Sequence, residues 1–359
     1  MRLQWKSRNL FSLSALVIVN AILAVFTVTS VFYFRQSSFC LTPGCAGGFE
    51  IMTGRIRRAN ANTVQEASTE KSPSSKVKPK KVGSPQVSYE EELNRKTREL
   101  FGGVTYRDKR LDLISYRIVP RREFCSNISY VVVIPTMPED DTVRYQLRST
   151  YGSTKMRTKY RYHVVFVMGR ARTPDSQRFL DYESKRHGDI LQADFMESYR
   201  NLTVKTLAAF RFATAACPGI KAIAKIDVDA GWSVAQMSEI VESLRDDKLY
   251  CGEAVTVQEW SRATYPDYCF GLGYLVPRQA ARELLSQMHK LTFLSMEDTF
   301  FTGVAREPTN ITIVNLEPRM AHFQQWPISK TDVGEIIFNV DDVNRLYWFY
   351  IANKDSLEH

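Results

Sequence analysis

Cysteine is scarce in this chain, six in 359 residues, and nowhere does its spacing resemble a zinc site. The even count leaves disulfides open in an oxidising compartment: Cys125, Cys217, Cys251 and Cys269 are available to pair, and Cys40 and Cys45 stand closer to the amino terminus. Which pairs form cannot be deduced from sequence, and a buried free thiol is an alternative for each. No internal repeat is present, which excludes a solenoid or propeller. No Pro/Gly/Ser linker interrupts the second half, so one globular domain is expected rather than two. The formal charge of +9 invites a nucleic-acid partner. The basic residues crowd into 36–116 and Arg121–Arg122 without interleaved aromatics, and solvated linker charge explains them better.

Acids are missing from the first nine residues, which hold Arg2, Lys6 and Arg8, and all charge is missing from Leu10 to Phe34. A run of about 25 apolar and uncharged residues is long enough to span a bilayer as a helix. It exceeds the h-region of a cleaved signal, and no small-x-small site precedes Arg35. The reading is a cytosolic tail (1–9), a transmembrane signal anchor (10–34) and everything beyond it lumenal, a single-pass type II orientation set by the flanking positive charge. Sequons at Asn127, Asn201 and Asn310 agree with a glycosylated lumenal part.

Residues 35–116 read as a lumenal stem, because KSPSSKVKPKKVGSPQ has too few apolar side chains to bury a core. One short helix is expected there over Glu90–Phe101, with acids early and bases late. From Ser129 onward short β-rich runs alternate with helical patterns: SYVVVIPT, a helix at 141–149, YHVVFVMG, a helix at 176–186, DILQAD, a helix at 199–216, AIAKID and a helix at 234–244. Such alternation predicts an α/β domain over 117–359, a largely parallel sheet with helices on both faces. Ligands of such sheets bind beyond the carboxyl ends of the strands, where Asp227 and Asp229 follow AIAKI.

A D-x-D after a strand is by itself as often a turn as a site. Here it is accompanied by RYQLRSTYG, HVVFVMG, GDILQADFMESYRNLTVKT, YPDYCFGLGYLVP and MEDTFFTG, ordered along about Asn127 to Gln325. The set resembles family 31 glycosyltransferases, the β-1,3-galactosyltransferases and β-1,3-N-acetylglucosaminyltransferases. The resemblance implies a GT-A-type nucleotide-sugar transferase fold and a Golgi membrane enzyme. Such an enzyme uses Mn2+ or another divalent metal to move galactose or N-acetylglucosamine from UDP-galactose or UDP-N-acetylglucosamine to a hydroxyl of a glycan on protein or lipid.

By the same resemblance Asp229 holds the metal, Asp227 assists it or meets the ribose, and His322 in PRMAHFQQWP completes the coordination. Asp298 is the general base, with Glu297 orienting it or binding acceptor. Arg144 and Arg148, four apart on one helical face, are candidates for phosphate or uracil. Asn201 and Lys205 are candidates for donor contact, or for holding Asp194 and the sheet edge. Tyr265, Tyr268, Gly271 and Gly273 resemble the segment that shapes the sugar and acceptor pocket. Two departures stand out: Val228 replaces the middle aspartate of the usual triplet, and Gly303 comes one residue later than the commonest spacing. They motivate a competing reading, a catalytically inactive glycan-binding or partner-stabilising relative.

Overall fold

The computed structural model describes residues 87–254, 265–322, 335–339 and 342–358. The tail, the anchor and most of the stem lie outside the described residues, as do Cys40 and Cys45; among the described residues no helix is long and apolar enough to cross a membrane.

The main sheet is built from β1 (Tyr116–Ile118), β2 (Tyr130–Pro135), β3 (Tyr162–Arg170), β4 (Ile190–Met196), β5 (Ala222–Ile226), β7 (Lys248–Ala254), β8 (Tyr268–Pro277) and β9 (Thr312–Asn315). Their spatial order is β1-β4-β3-β2-β5-β8-β7-β9. The β4-β3-β2-β5 block and the β7/β9 pair are parallel; β1 on β4, β5 on β8 and β8 on β7 are antiparallel. The largely parallel sheet expected is thus present, as a mixed one. A smaller sheet, β10 (Met320–His322), β11 (Ile337–Asn339) and β6 (Ala230–Trp232), stands beside it.

Both faces of the main sheet are covered, which is why β2 is apolar at every position. Val131, Val133, Val165 and Ile223 point into one apolar cluster, and Tyr130, Val132, Val164 and Ala224 into another. On the first face lies α5 (Leu202–Ala216), preceded by a single 3-10 turn at Tyr199–Asn201. It is buried almost all round, because α1 (Tyr89–Phe101) and α7 (Arg278–Gln287) cover the side turned from the sheet. The second face is covered by α2 (Asp141–Ser149), α3 (Thr154–Tyr160), α4 (Pro174–His187), α6 (Val234–Glu242) and α8 (Val343–Ala352), with α9 (Lys354–Glu358) last. Helix α4 shows how the local sequence sets its own limits. Thr173 caps its first turn, Pro174 opens it, and Gly188 ends it at φ +68, a left-handed conformation that favours glycine.

The region expected as stem, 35–116, includes a helix that docks on the domain. Helix α1 buries Leu93 and Thr97, Asn94 exchanges two hydrogen bonds with the backbone of Tyr116, and the compact unit runs over Lys80–His359. Composition marked the segment as polar, but one amphipathic stripe is enough to dock a capped helix. Ser88 and Glu91 supply a reciprocal capping box at its start.

Two disulfides are present among the described residues, Cys125–Cys217 and Cys251–Cys269. The second links the adjacent strands β7 and β8.

Candidate functional site

Strand β5 carries a lysine where its neighbours are apolar, and that lysine organises the site. Lys225 Nζ is fully buried, donates to Asp227 Oδ1 and to the Gly271 carbonyl, each at 2.6 Å, and lies 3.3 Å from Glu297 Oε2. Tyr274, paired with Lys225 across β8, donates its hydroxyl to Glu297 Oε1. Burial works against the lysine charge, but Glu297 and Asp227 outweigh it and its pKa rises, so Lys225 is an ammonium. Burial raises the carboxyls of Glu297 and Asp227, against the opposing pull of Lys225.

Asp227, Glu297 and Asp298, which arrive from two distant segments, line one cleft of about 390 Å³ together with Lys225, Tyr199 and Arg200. Asp298 Oδ1 is held by the Thr299 amide at 2.7 Å and the Thr299 hydroxyl at 3.3 Å. Its Oδ2 stands over Gly271, where an added Cβ would come within 2.8 Å of it; glycine is needed there to let the carboxylate approach the strand. The chain after Asp298 winds as a π-helical turn, Thr299–Val304, with Ala305 N bonded to Phe300 O at 2.9 Å. A π turn takes up one more residue than an α turn, which accommodates the late Gly303 without moving Asp298 from the cleft.

Asp229 follows in the turn between β5 and β6. It is half-buried, and no hydrogen bond or ion pair reaches its carboxylate among the described residues. Val228, between the two aspartates, packs against the second apolar cluster, so the departure from the aspartate triplet serves the core. His322 closes β10, whose register runs from His322 to Asn339 on β11 and on to Ala230 on β6. The histidine backbone is thus on the same rung as the residue after Asp229, two strands away and roughly 10 Å distant; its side chain lies outside what is described.

Four further sequence candidates, Arg144, Arg148, Lys205 and Asn201, do not line the cleft. Arg144, 0% exposed, places Nε and Nη2 on Glu183 at 2.8 and 2.6 Å, and donates to the carbonyls of Met137 and Pro138 at 2.6 and 3.0 Å. Arg148 is bidentate to Asp189 at 2.7 Å and meets Glu183 at 2.6 Å. Both guanidinium groups are bound to protein acceptors. Lys205 pairs with Glu197 at 2.8 Å and donates to the Thr136 carbonyl at 2.7 Å, and Asn201 donates to the Met196 carbonyl at 2.8 Å. These two fix the ends of β2 and β4 around the cleft; Asp194 is held instead by Arg117 and Arg170.

Sequence reasoning missed Lys225 and Tyr274, as well as Tyr199 and Arg200 at the cleft wall. A lysine inside AIAKI was the visible signal, since a charge in a strand buried on both faces requires partners.

A metal fits this donor set in a limited way. Among the described residues no three His, Cys, Asp or Glu side chains converge to hold one. Two carboxylates at a strand end are nevertheless the protein share usual for a hard divalent cation that takes its other ligands from substrate phosphates.

Residues 142–317 match the family model described as Galactosyltransferase. Among curated proteins, human UDP-GalNAc:beta-1,3-N-acetylgalactosaminyltransferase 1 is 28% identical over 189 residues, covering 47% of this chain and 57% of that protein. Human beta-1,3-galactosyltransferase 5 is 25% identical over 209 residues, covering 54% and 67%. The chain thus spans a little over half the length of the first of these relatives. A solved galactosyltransferase, LgtC with donor and acceptor sugar analogues, covers 64% of this chain at 10% identity with a TM-score of 0.34, an overlap too slight to weigh. The matched segment contains Asp227, Asp229, Glu297 and Asp298, and over it this chain is similar to the galactosyltransferase family.

Proposed function

We propose that the protein is a metal-dependent, inverting hexosyltransferase that moves a sugar from a UDP donor to a hydroxyl of a glycan acceptor with a β-1,3 linkage. The observation that carries the reading is the convergence of Asp227, Asp298 and Glu297 on one cleft, with Asp227 and Glu297 held by a single buried lysine. The two named relatives act with galactose or its N-acetylamino derivative, which favours a galacto-configured donor, with UDP-N-acetylglucosamine as the alternative. The predicted anchor supports a type II Golgi membrane setting.

In this reading Asp298 Oδ2 takes the proton of the acceptor hydroxyl while Thr299 holds Oδ1, so the carboxylate presents one fixed face. The acceptor oxygen bonds to the anomeric carbon, the bond from that carbon to the diphosphate breaks, and UDP departs with inversion. Lys225 holds Glu297, at the start of a helical turn, and Asp227, just past β5, together at the cleft. Tyr199 and Arg200 contact acceptor or donor at the wall. Asp229 and Asp227, with His322, would hold Mn2+, which when bound neutralises charge on the leaving diphosphate.

The test is UDP release by residues 80–359, screened over UDP-sugars and simple glycoside acceptors, with manganese or with chelator. Manganese-dependent release with one sugar, lost in Asp229→Ala and Asp298→Asn, is the expected result. UDP binding without turnover on any acceptor would favour the inactive relative, and absence of UDP binding would remove the donor site altogether.

A further inference from the structure

A hollow of about 560 Å³ lies away from the carboxylate cleft, bounded by α1, the end of α5 and one side of α7. Pro277, just before α7, pairs with Ala222 at the first residue of β5, whereas Asp227 follows the last, so the two sites are separated by the length of that strand, roughly 16 Å.

Its chemistry is one-sided. Lys96, Arg278, Arg282 and His289 line it, and the one carboxylate in its wall, Glu99, is paired with Arg95. No ion pair reaches Lys96, Arg278 or Arg282 among the described residues. Two polar atoms in the wall are sealed from water without a hydrogen bond, Arg278 Nε and Thr214 Oγ1, and Thr214 is only 3% exposed. Leaving such groups unsatisfied is costly, and an oxyanion would accept from both. Arg278 and Arg282 stand one helical turn apart, and burial together with their mutual repulsion lowers the Arg278 pKa. At the rim Leu100 and Val104 are 47% and 45% exposed, next to the basic groups.

We propose that this hollow is a second binding site, distinct from the transferase cleft, which takes a phosphate group. Arg278 Nε and the Thr214 hydroxyl donate at its floor, and Lys96 and Arg282 close over the anion from the mouth. A lipid headgroup whose apolar portion rests on Leu100 and Val104, or free phosphate, would supply the same chemistry.

The experiment is thermal unfolding of the full chain in neutral detergent at constant ionic strength. It is titrated with inorganic phosphate, with dihexanoyl phosphatidic acid and with dihexanoyl phosphatidylcholine. A saturable rise in Tm is expected with the first two and none with the zwitterionic lipid. The Lys96→Gln/Arg282→Gln variant changes only side chains that reach solvent and should weaken the effect about tenfold or more. Phosphatidic acid acting at far lower concentration than inorganic phosphate identifies the headgroup as ligand; equal potency identifies free phosphate. Thr214→Val keeps the shape and every charge, and should weaken binding too, so it decides the matter if the double variant does not fold. No shift with either anion, or a shift that both variants retain, overturns the proposal.

Discussion

Two clusters of buried charge lie in this sheet's surroundings, and they are built on opposite principles. Near β4, Arg144 and Arg148 meet Glu183 and Asp189, two cations against two anions, with every guanidinium edge engaged. At the end of β5, Lys225 faces Asp227 and Glu297, with Asp298 and Asp229 close enough to act on Asp227 as well. The first cluster is balanced in charge and closed in its hydrogen bonding, although Arg148 and Glu183 also border a hollow of about 410 Å³. The second carries surplus negative charge and opens on a cleft. A charge-balanced network fixes structure, whereas an excess of one sign beside a hollow awaits a ligand of the other sign. Arginine pairs in the sequence suggested a phosphate site; the partners that neutralise them lie 35 to 41 residues further on in the chain.

The sharpest way to break that contrast is Asp298→Asn. If the open cluster is catalytic, transfer should fall about 10³-fold, the usual order for a general base, while thermal stability stays unchanged. Initial rates and a melting curve on the same preparation measure both. Equal loss of stability would place Asp298 with the structural cluster.

Glu183→Gln tests the opposite side. It leaves Arg144 buried with only carbonyl partners and should cost about 3 kcal/mol in denaturant unfolding, with kcat preserved in the protein that remains folded. The cost should depend on pH in a defined direction. Burial pushes the Glu183 carboxyl up, but hydrogen bonds and charge from Arg144 and Arg148 outweigh it and hold its pKa below the ordinary value. Its contribution is therefore complete above the unfolded-state pKa and is lost as pH falls through the folded-state one. Wild type and variant should converge in acid; a constant difference down to pH 2 would show that shape, and not charge, sets the cost.

Most of the framework was legible because it is local. The helix expected at 141–149 is Asp141–Ser149, and the one expected at 176–186 is Pro174–His187, extended by its proline and its cap. Strand β5 ends where AIAKI ends, and the cleft lies beyond it as the topology of such sheets requires. What period and propensity could not supply was pairing across distance. Antiparallel insertion of β8 beside β5, which brings Gly271 and Tyr274 to Lys225, leaves no mark on either strand alone. The docking of α1 was hidden by the polar stretch before it. The π turn was visible only as an extra residue before Gly303.

Between the two clusters in expected size comes the bridge from β7 to β8. Cys251→Ser/Cys269→Ser removes a link across 18 residues, and chain-entropy reasoning gives a loss of about 3 kcal/mol. Because Gly271 of the bridged strand β8 lines the cleft, acceptor KM should rise while Glu183-dependent stability adds independently in the triple variant. Non-additive unfolding energies would mean that the closed cluster and the bridge belong to one cooperative contact.

The smallest effect is expected at Val228, and it bears most directly on whether the open cluster works as it stands. If the valine weakens the site, Val228→Asp should restore activity by completing the aspartate triplet. If its side chain serves the core, as its packing against the second apolar cluster indicates, the same change places a carboxylate against apolar neighbours and should cost about 1 to 2 kcal/mol. Turnover and manganese dependence would then be unchanged, because Asp227 already lines the cleft and Asp229 is left in place. A gain in rate with stability intact would reverse this reading, and would mean that the valine costs the cleft a carboxylate it can use.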